Sequence, residues 1–99
     1  MVQIEVLYFE GCPSHEPTVA LARSVVADLD MEVEIREVIV GSVDDAQSLR
    51  FLGSPSVRVN GRDIEPGADQ RSSYALSCRL YDENGVPPRE WLIAALEAA

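Results

Sequence analysis

The 99-residue sequence contains no lysine; all eight of its basic residues are arginine. That excludes Schiff-base catalysis, which needs a lysine amine. The basic residues are outnumbered by seventeen acidic ones, for a net charge of −9. A nucleic-acid backbone calls for the opposite sign, so no nucleic acid is expected as a partner. There are two cysteines, Cys12 and Cys78, too far apart in sequence to read as a secreted disulfide framework. With a single histidine and no regular spacing they make a weak metal-ligand set, and no cofactor is expected. No apolar run approaches the ~20 residues of a membrane span. The N-terminus lacks the basic, apolar and cleavage regions of a signal peptide. The expectation is a cytoplasmic protein, without a membrane partner, folding as one domain over residues 1–99.

What is present centres on Tyr8-Phe9-Glu10-Gly11-Cys12-Pro13-Ser14-His15. Residues 2–9 are apolar enough for a buried strand, with Gln3 and Glu5 marking a more exposed start. Gly11 breaks it. From Thr18 to Leu29 the apolar period changes: Val19, Ala22, Val26 and Leu29 recur at three- and four-residue steps, as on one helix face. Cys12 therefore lies where a strand hands over to a helix. Free N–H groups and the positive end of the helix dipole converge there and favour negative charge, which makes Cys12 a candidate nucleophile. The plainer reading of Cys12 is a small buried apolar residue. Ser14 reads as the helix N-cap, because that start places Pro17 at the third helical position, where no N–H is needed.

A second strand spans residues 31–40, one face exposed through Glu32, Glu34 and Arg36. Ser42 with Asp45 resembles a capping box, opening a short helix to about Phe51, with Gly53 as its C′ residue. Val57 and Val59 begin a hairpin whose turn is Asn60-Gly61, and Ile64 belongs to the returning strand. Residues 66–76 read as loop. Leu76 to Tyr81 alternates as a further short strand, with Cys78 between Leu76 and Leu80 on its buried side and Ser77 and Arg79 outward. Asp82-Glu83-Asn84-Gly85 is a turn, and Pro87-Pro88 leads into a last helix burying Trp91, Leu92, Ala95 and Leu96. Strands separated by helices pair in parallel and the hairpin adds antiparallel strands, so an α/β fold with a mixed sheet of four or five strands and helices on both faces is expected.

That order, with a cysteine after the first strand and a proline before the third, resembles the thioredoxin-like superfamily over nearly the whole chain. Gly11-Cys12-Pro13-Ser14-His15 is similar to the active-site loop of that family, and Ser54-Pro55-Ser56-Val57 to its cis-proline loop. The chain looks closest to small bacterial thioredoxin-family proteins, some described as alkylmercury-lyase-like. The resemblance implies that Cys12 is the nucleophile, and that Pro13, Ser14, Ser54, Pro55 and Ser56 border a thiol or disulfide partner, small molecule or protein. It also implies a cis Ser54–Pro55 bond. The family's frequent second cysteine is His15 here, which removes dithiol chemistry within the loop and leaves monothiol exchange. His15 keeps two readings: a group that stabilises charge or relays a proton at Cys12, or an exposed first-turn residue. Cys78 also keeps two: a buried strand residue, or a distal resolving thiol or metal ligand for Cys12.

Three functions compete. The first is a monothiol thiol-disulfide oxidoreductase with Cys12, His15 and Cys78 as its catalytic candidates. The second is a non-enzymatic module that binds a partner along the Pro55 loop. The third is soft-metal or organomercurial binding through Cys12 and Cys78.

Overall fold

Strand β1 (Val2–Tyr8) is the hub of the fold. The computed structural model describes residues 1–81 and 85–99. On one side β1 pairs in parallel with β2 (Val33–Ile39), and on the other antiparallel with β3 (Ser56–Val59). Two residues of β4 (Arg62–Asp63) complete a four-stranded mixed sheet in the order β2-β1-β3-β4. The α/β class and the mixed sheet are as the sequence pattern implies.

Alternation along the strands sorts the core into two layers. Ile4 and Val6 point to one face with Val57 and Val59. They meet Val19, Ala22 and Val25 of helix α1 (His15–Leu29), and Leu92 and Leu96 of helix α3 (Arg89–Ala98). Leu7 points to the other face, where Val40 and Phe51 close over it with Ala46 of helix α2 (Val43–Ser48). A single strand thus feeds both cores because successive side chains face opposite ways. Trp91, expected within the core, is only half-buried at its rim, edge-on to Tyr81 at 6.1 Å; Leu92 and Leu96 supply the fully buried positions of α3. No helix among the described residues is long and apolar enough to cross a membrane.

Local chemistry explains most boundaries. Ser42 Oγ accepts the Asp45 N–H at 3.0 Å, satisfying one orphan donor at the start of α2. Asn60 and Gly61 both have positive φ, 50° and 85°, the requirement of the two-residue turn between β3 and β4.

Two expectations fail. Helix α2 stops at Ser48, and Arg50, with φ 54°, takes the left-handed position assigned to Gly53. Arg58 of β3 donates to the carbonyls of Leu49 and Arg50, satisfying acceptors left free at that helix end. Gly53 (φ 129°) serves a different purpose: a Cβ there would stand 3.0 Å from Arg79 Cβ and 3.3 Å from the Ser77 carbonyl oxygen. The expected strand from Leu76 to Tyr81 is reduced to an isolated bridge between Ser54 and Cys78. Of the expected turn, Asp82, Glu83 and Asn84 lie outside the described residues.

Candidate functional site

Cys12 sits in the connection from β1 to α1, two residues ahead of the N-cap Ser14, and is half-buried with a free thiol. Its N–H donates to the Phe9 carbonyl at 3.2 Å, and its carbonyl accepts the His15 N–H at 3.3 Å. These bonds fold residues 9–15 into a tight corner. Pro13 lies exposed on its outside. Pro17 falls at the third helical position, where its missing N–H costs nothing. Ser14 occupies the cap position, but its side chain makes no capping bond. Gly85 packs directly over it; a Cβ at Gly85 would run into Ser14 Oγ.

The His15 ring is neither exposed nor turned to the Cys12 thiol: its hydrogen-bond partner is on β2. Its ring stacks on Tyr8 at 3.5 Å and 6° between planes. Its Nε2 lies 2.6 Å from Glu37 Oε1, on β2. The side chain is 17% exposed. His15 thereby ties the first residue of α1 to the ends of β1 and β2.

Ser54, Pro55 and Ser56 are all buried, and the Ser54–Pro55 peptide is cis. Ser54 is a junction: its Oγ accepts the Phe9 N–H at 3.3 Å, its N–H donates to the Ser77 carbonyl, and its carbonyl accepts the Arg79 N–H. The Pro55 carbonyl accepts the Tyr81 hydroxyl at 2.6 Å, and Ser56 Oγ donates to the Gly53 carbonyl at 2.6 Å. The loop is thus bound to the end of β1 on one side and to residues 77–81 on the other.

In that last segment Ser77 is exposed as expected, and the rest of the expected burial is reversed. Cys78, Leu76 and Leu80 are exposed, and Arg79 is buried. The reason is electrostatic. Asp63 ends β4 and Glu65 follows it two residues on, and the Arg79 guanidinium reaches both carboxylates. It donates to Asp63 at 2.7 and 3.0 Å, to Glu65 at 3.1 Å and to Ser56 Oγ at 3.1 Å. It also lies 4.8 Å from the Tyr81 ring centroid. Burial alone would raise the Glu65 carboxyl, but hydrogen bonds from Arg71 and Arg79 hold it below the usual carboxylate range. Burial pushes the Tyr81 phenol well above its usual value. Sequence reading missed Arg79, Asp63, Glu65 and Tyr81. The i, i+2 acidic pair Asp63 and Glu65 was the available signal, though it did not select Arg79 among eight arginines. It also missed Tyr8 and Glu37, for which no signal existed.

A concavity of about 450 Å³ runs beside Cys78, lined in part by Leu52, Arg71 and Tyr81. A larger one, about 810 Å³, follows the hairpin edge toward α3 and contains neither cysteine nor His15. Among the described residues, no group of three or more His, Cys, Asp or Glu side chains is arranged to hold a metal ion. No protein-family model, curated protein or solved structure matches this chain.

Proposed function

We propose that the chain is a thioredoxin-like thiol protein in which Cys12 carries monothiol exchange. The observation that carries this reading is the placement of a free Cys12 at the corner between β1 and a 15-residue helix. N–H groups at such a helix start are available to a developing sulfur anion. The buried Ser54-Pro55-Ser56 loop is linked to the same corner through Phe9. Because that loop is buried and its main-chain groups are taken by residues 77–81, it supports the corner from behind, and the partner meets the chain at Cys12 and Pro13.

In this reading the Cys12 thiolate attacks one sulfur of a disulfide R–S–S–R′. A Cys12–S–S–R bond forms and R′S⁻ leaves. A second thiolate R″S⁻ then attacks the R sulfur, giving R–S–S–R″ and regenerating the Cys12 thiolate. His15, held by Tyr8 and Glu37, fixes the helix start rather than carrying the proton.

Competitive iodoacetamide labelling with mass-spectrometric localisation tests the proposal. Exposure alone favours Cys78, which is the more accessible thiol. Activation favours Cys12, and an advantage of about tenfold or more near neutral pH is the expected result. If Cys78 reacts first, the binding-module reading replaces exchange chemistry. In an exchange assay with a glutathionylated peptide, Cys12→Ser should abolish turnover and Cys78→Ser should leave it. Loss in both variants would instead favour joint action of the two thiols.

A further inference from the structure

The outer edge of β2 is open. Among the described residues no strand pairs with it, and β1 is its one sheet partner. The opposite edge is blunted, because β4 is two residues long and Asp63 is tied to Arg79. A seven-residue unpaired edge presents a row of N–H and C=O groups that another strand can use.

The direction of those groups follows from one bond. Val40 N–H donates to the Tyr8 carbonyl at 2.7 Å, so the even-numbered positions of β2 turn their main chain toward β1. Val33, Ile35, Glu37 and Ile39 therefore turn theirs outward. An incoming antiparallel copy of the same strand must set odd positions opposite odd positions to form hydrogen-bonded pairs, which allows the two-fold axis at an odd residue or at the even residue between two of them.

The side chains choose among the centres. Centred on Glu37, the two Glu37 carboxylates would face each other. Centred on Val33, Glu32 would face Glu34 twice. Centred on Glu34 or Arg36, that residue would face its own like charge in the other copy. Centred on Val38 or Ile39, most of β2 would be left unpaired. Centred on Ile35, Glu34 faces Arg36 of the other copy, and the two-fold axis repeats the pair. Ile35 then meets its own copy, and Met31 meets Ile39. Glu34 and Arg36 are each about half exposed, with side-chain values of 54% and 55%, and Ile39 is 53% exposed. Glu34 and Arg36 now make only a 3.9 Å contact with each other. Opposite charges facing across an antiparallel pair are stabilising, and like charges are not.

We infer that a second copy of this chain docks on the β2 edge, antiparallel and centred on Ile35, joining two four-stranded sheets into one of eight. The two copies are held by main-chain pairs, the doubled Glu34–Arg36 contact and the exposed Ile39. Glu37, which holds His15 at the start of α1, would lie opposite Val33 of the other copy. The docking surface thus borders the Cys12 corner without using Cys12.

Sedimentation equilibrium of the full chain over micromolar to millimolar concentration at 0.15 M salt is the test. Wild type should show a monomer–dimer equilibrium. Arg36→Glu faces Glu34 with a like charge twice and should weaken Kd by about tenfold or more, a factor of about three for each inverted pair. Glu34→Arg should do the same through arginine pairs. Mixing the two variants restores opposite charges at all four positions, so a heterodimer should form at concentrations where each variant alone self-associates about tenfold more weakly than wild type. Slower hydrogen exchange at the Ile35 and Glu37 amides with rising concentration would locate the contact. A wild-type chain that stays monomeric throughout overturns the proposal and leaves the edge to a different partner. So does a dimer whose Kd ignores the charge changes, or a mixture that does not associate.

Discussion

Replacing Arg79 with methionine keeps most of the side-chain volume and removes the charge. The guanidinium has a side-chain exposure of 3%, and its partners Asp63 and Glu65 stand at 12% and 21%. Glu65 keeps a second partner, since Arg71 donates to both of its oxygens at 2.9 and 3.1 Å. Asp63 keeps only the Glu65 N–H, at 2.9 Å, and is left as a nearly buried carboxylate without a counter-charge. Breaking a buried ion pair by removing one partner costs about 3–5 kcal/mol. Because Asp63 retains some solvent contact, the lower end applies, and loss of the Tyr81 contact adds about 0.5–1 kcal/mol. Arg79→Met should therefore cost about 3–4 kcal/mol, a large share of the ~5–15 kcal/mol that holds a domain together. Urea denaturation followed by circular dichroism at pH 7 reads this directly. Adding Asp63→Asn should recover part of the loss, because the orphaned charge disappears with it. A loss in Arg79→Met below about 1 kcal/mol, or a double variant equal to the sum of its singles, would refute the placement of Arg79 as the tie between these loops.

Two further outcomes follow from the same region. The Glu65 carboxyl is held below its ordinary value of 4.5 in the fold, so its stabilisation is full above that pH and is lost as pH falls through the lowered folded value. Glu65→Gln should flatten the acid limb of a stability–pH curve measured by urea midpoints; an unchanged limb would show that Glu65 contributes nothing there. Gly53→Ala combines a φ of 129° with a Cβ 3.0 Å from Arg79 Cβ and should cost more than about 1 kcal/mol in thermal or urea unfolding. Gly41→Ala, which meets only an ordinary 3.6 Å contact, should stay within about 0.5 kcal/mol.

The parts of the fold legible in the sequence are those whose cause is local. The alternation of Ile4 and Val6, the Ser42 cap and the Asn60-Gly61 turn each act within a few residues, and each appears where its chemistry demands. The corner at Cys12 was legible for the same reason, through Gly11 and the change from a two-residue to a helical period. What could not be read depends on distant partners. Alternation places Leu76, Cys78 and Leu80 together, but cannot say which side of the segment faces inward. Asp63 and Glu65 decide that, by burying Arg79 between them. Gly53 looks like a helix terminator until the chain returns over it at Ser77 and Arg79. His15 shows no sign in its own neighbourhood that Tyr8 and Glu37 will hold it.

The central position of β1 also governs how the chain can assemble. Its nearest sheet partner begins about thirty residues later, with Val2 against Val33, and its other partner lies about fifty residues away, with Leu7 against Ser56. No hairpin can protect β1 early. Both of its edges must wait for loop closures whose entropy is spent before any contact rewards it, which slows folding relative to a helical bundle of this size. Until β3 arrives, the segment from Val2 to Phe9 keeps at least one unpaired edge in a collapsing chain. During that interval misassembly with another copy is most accessible. Refolding yield should accordingly fall with protein concentration more steeply than the stability of the finished sheet would suggest.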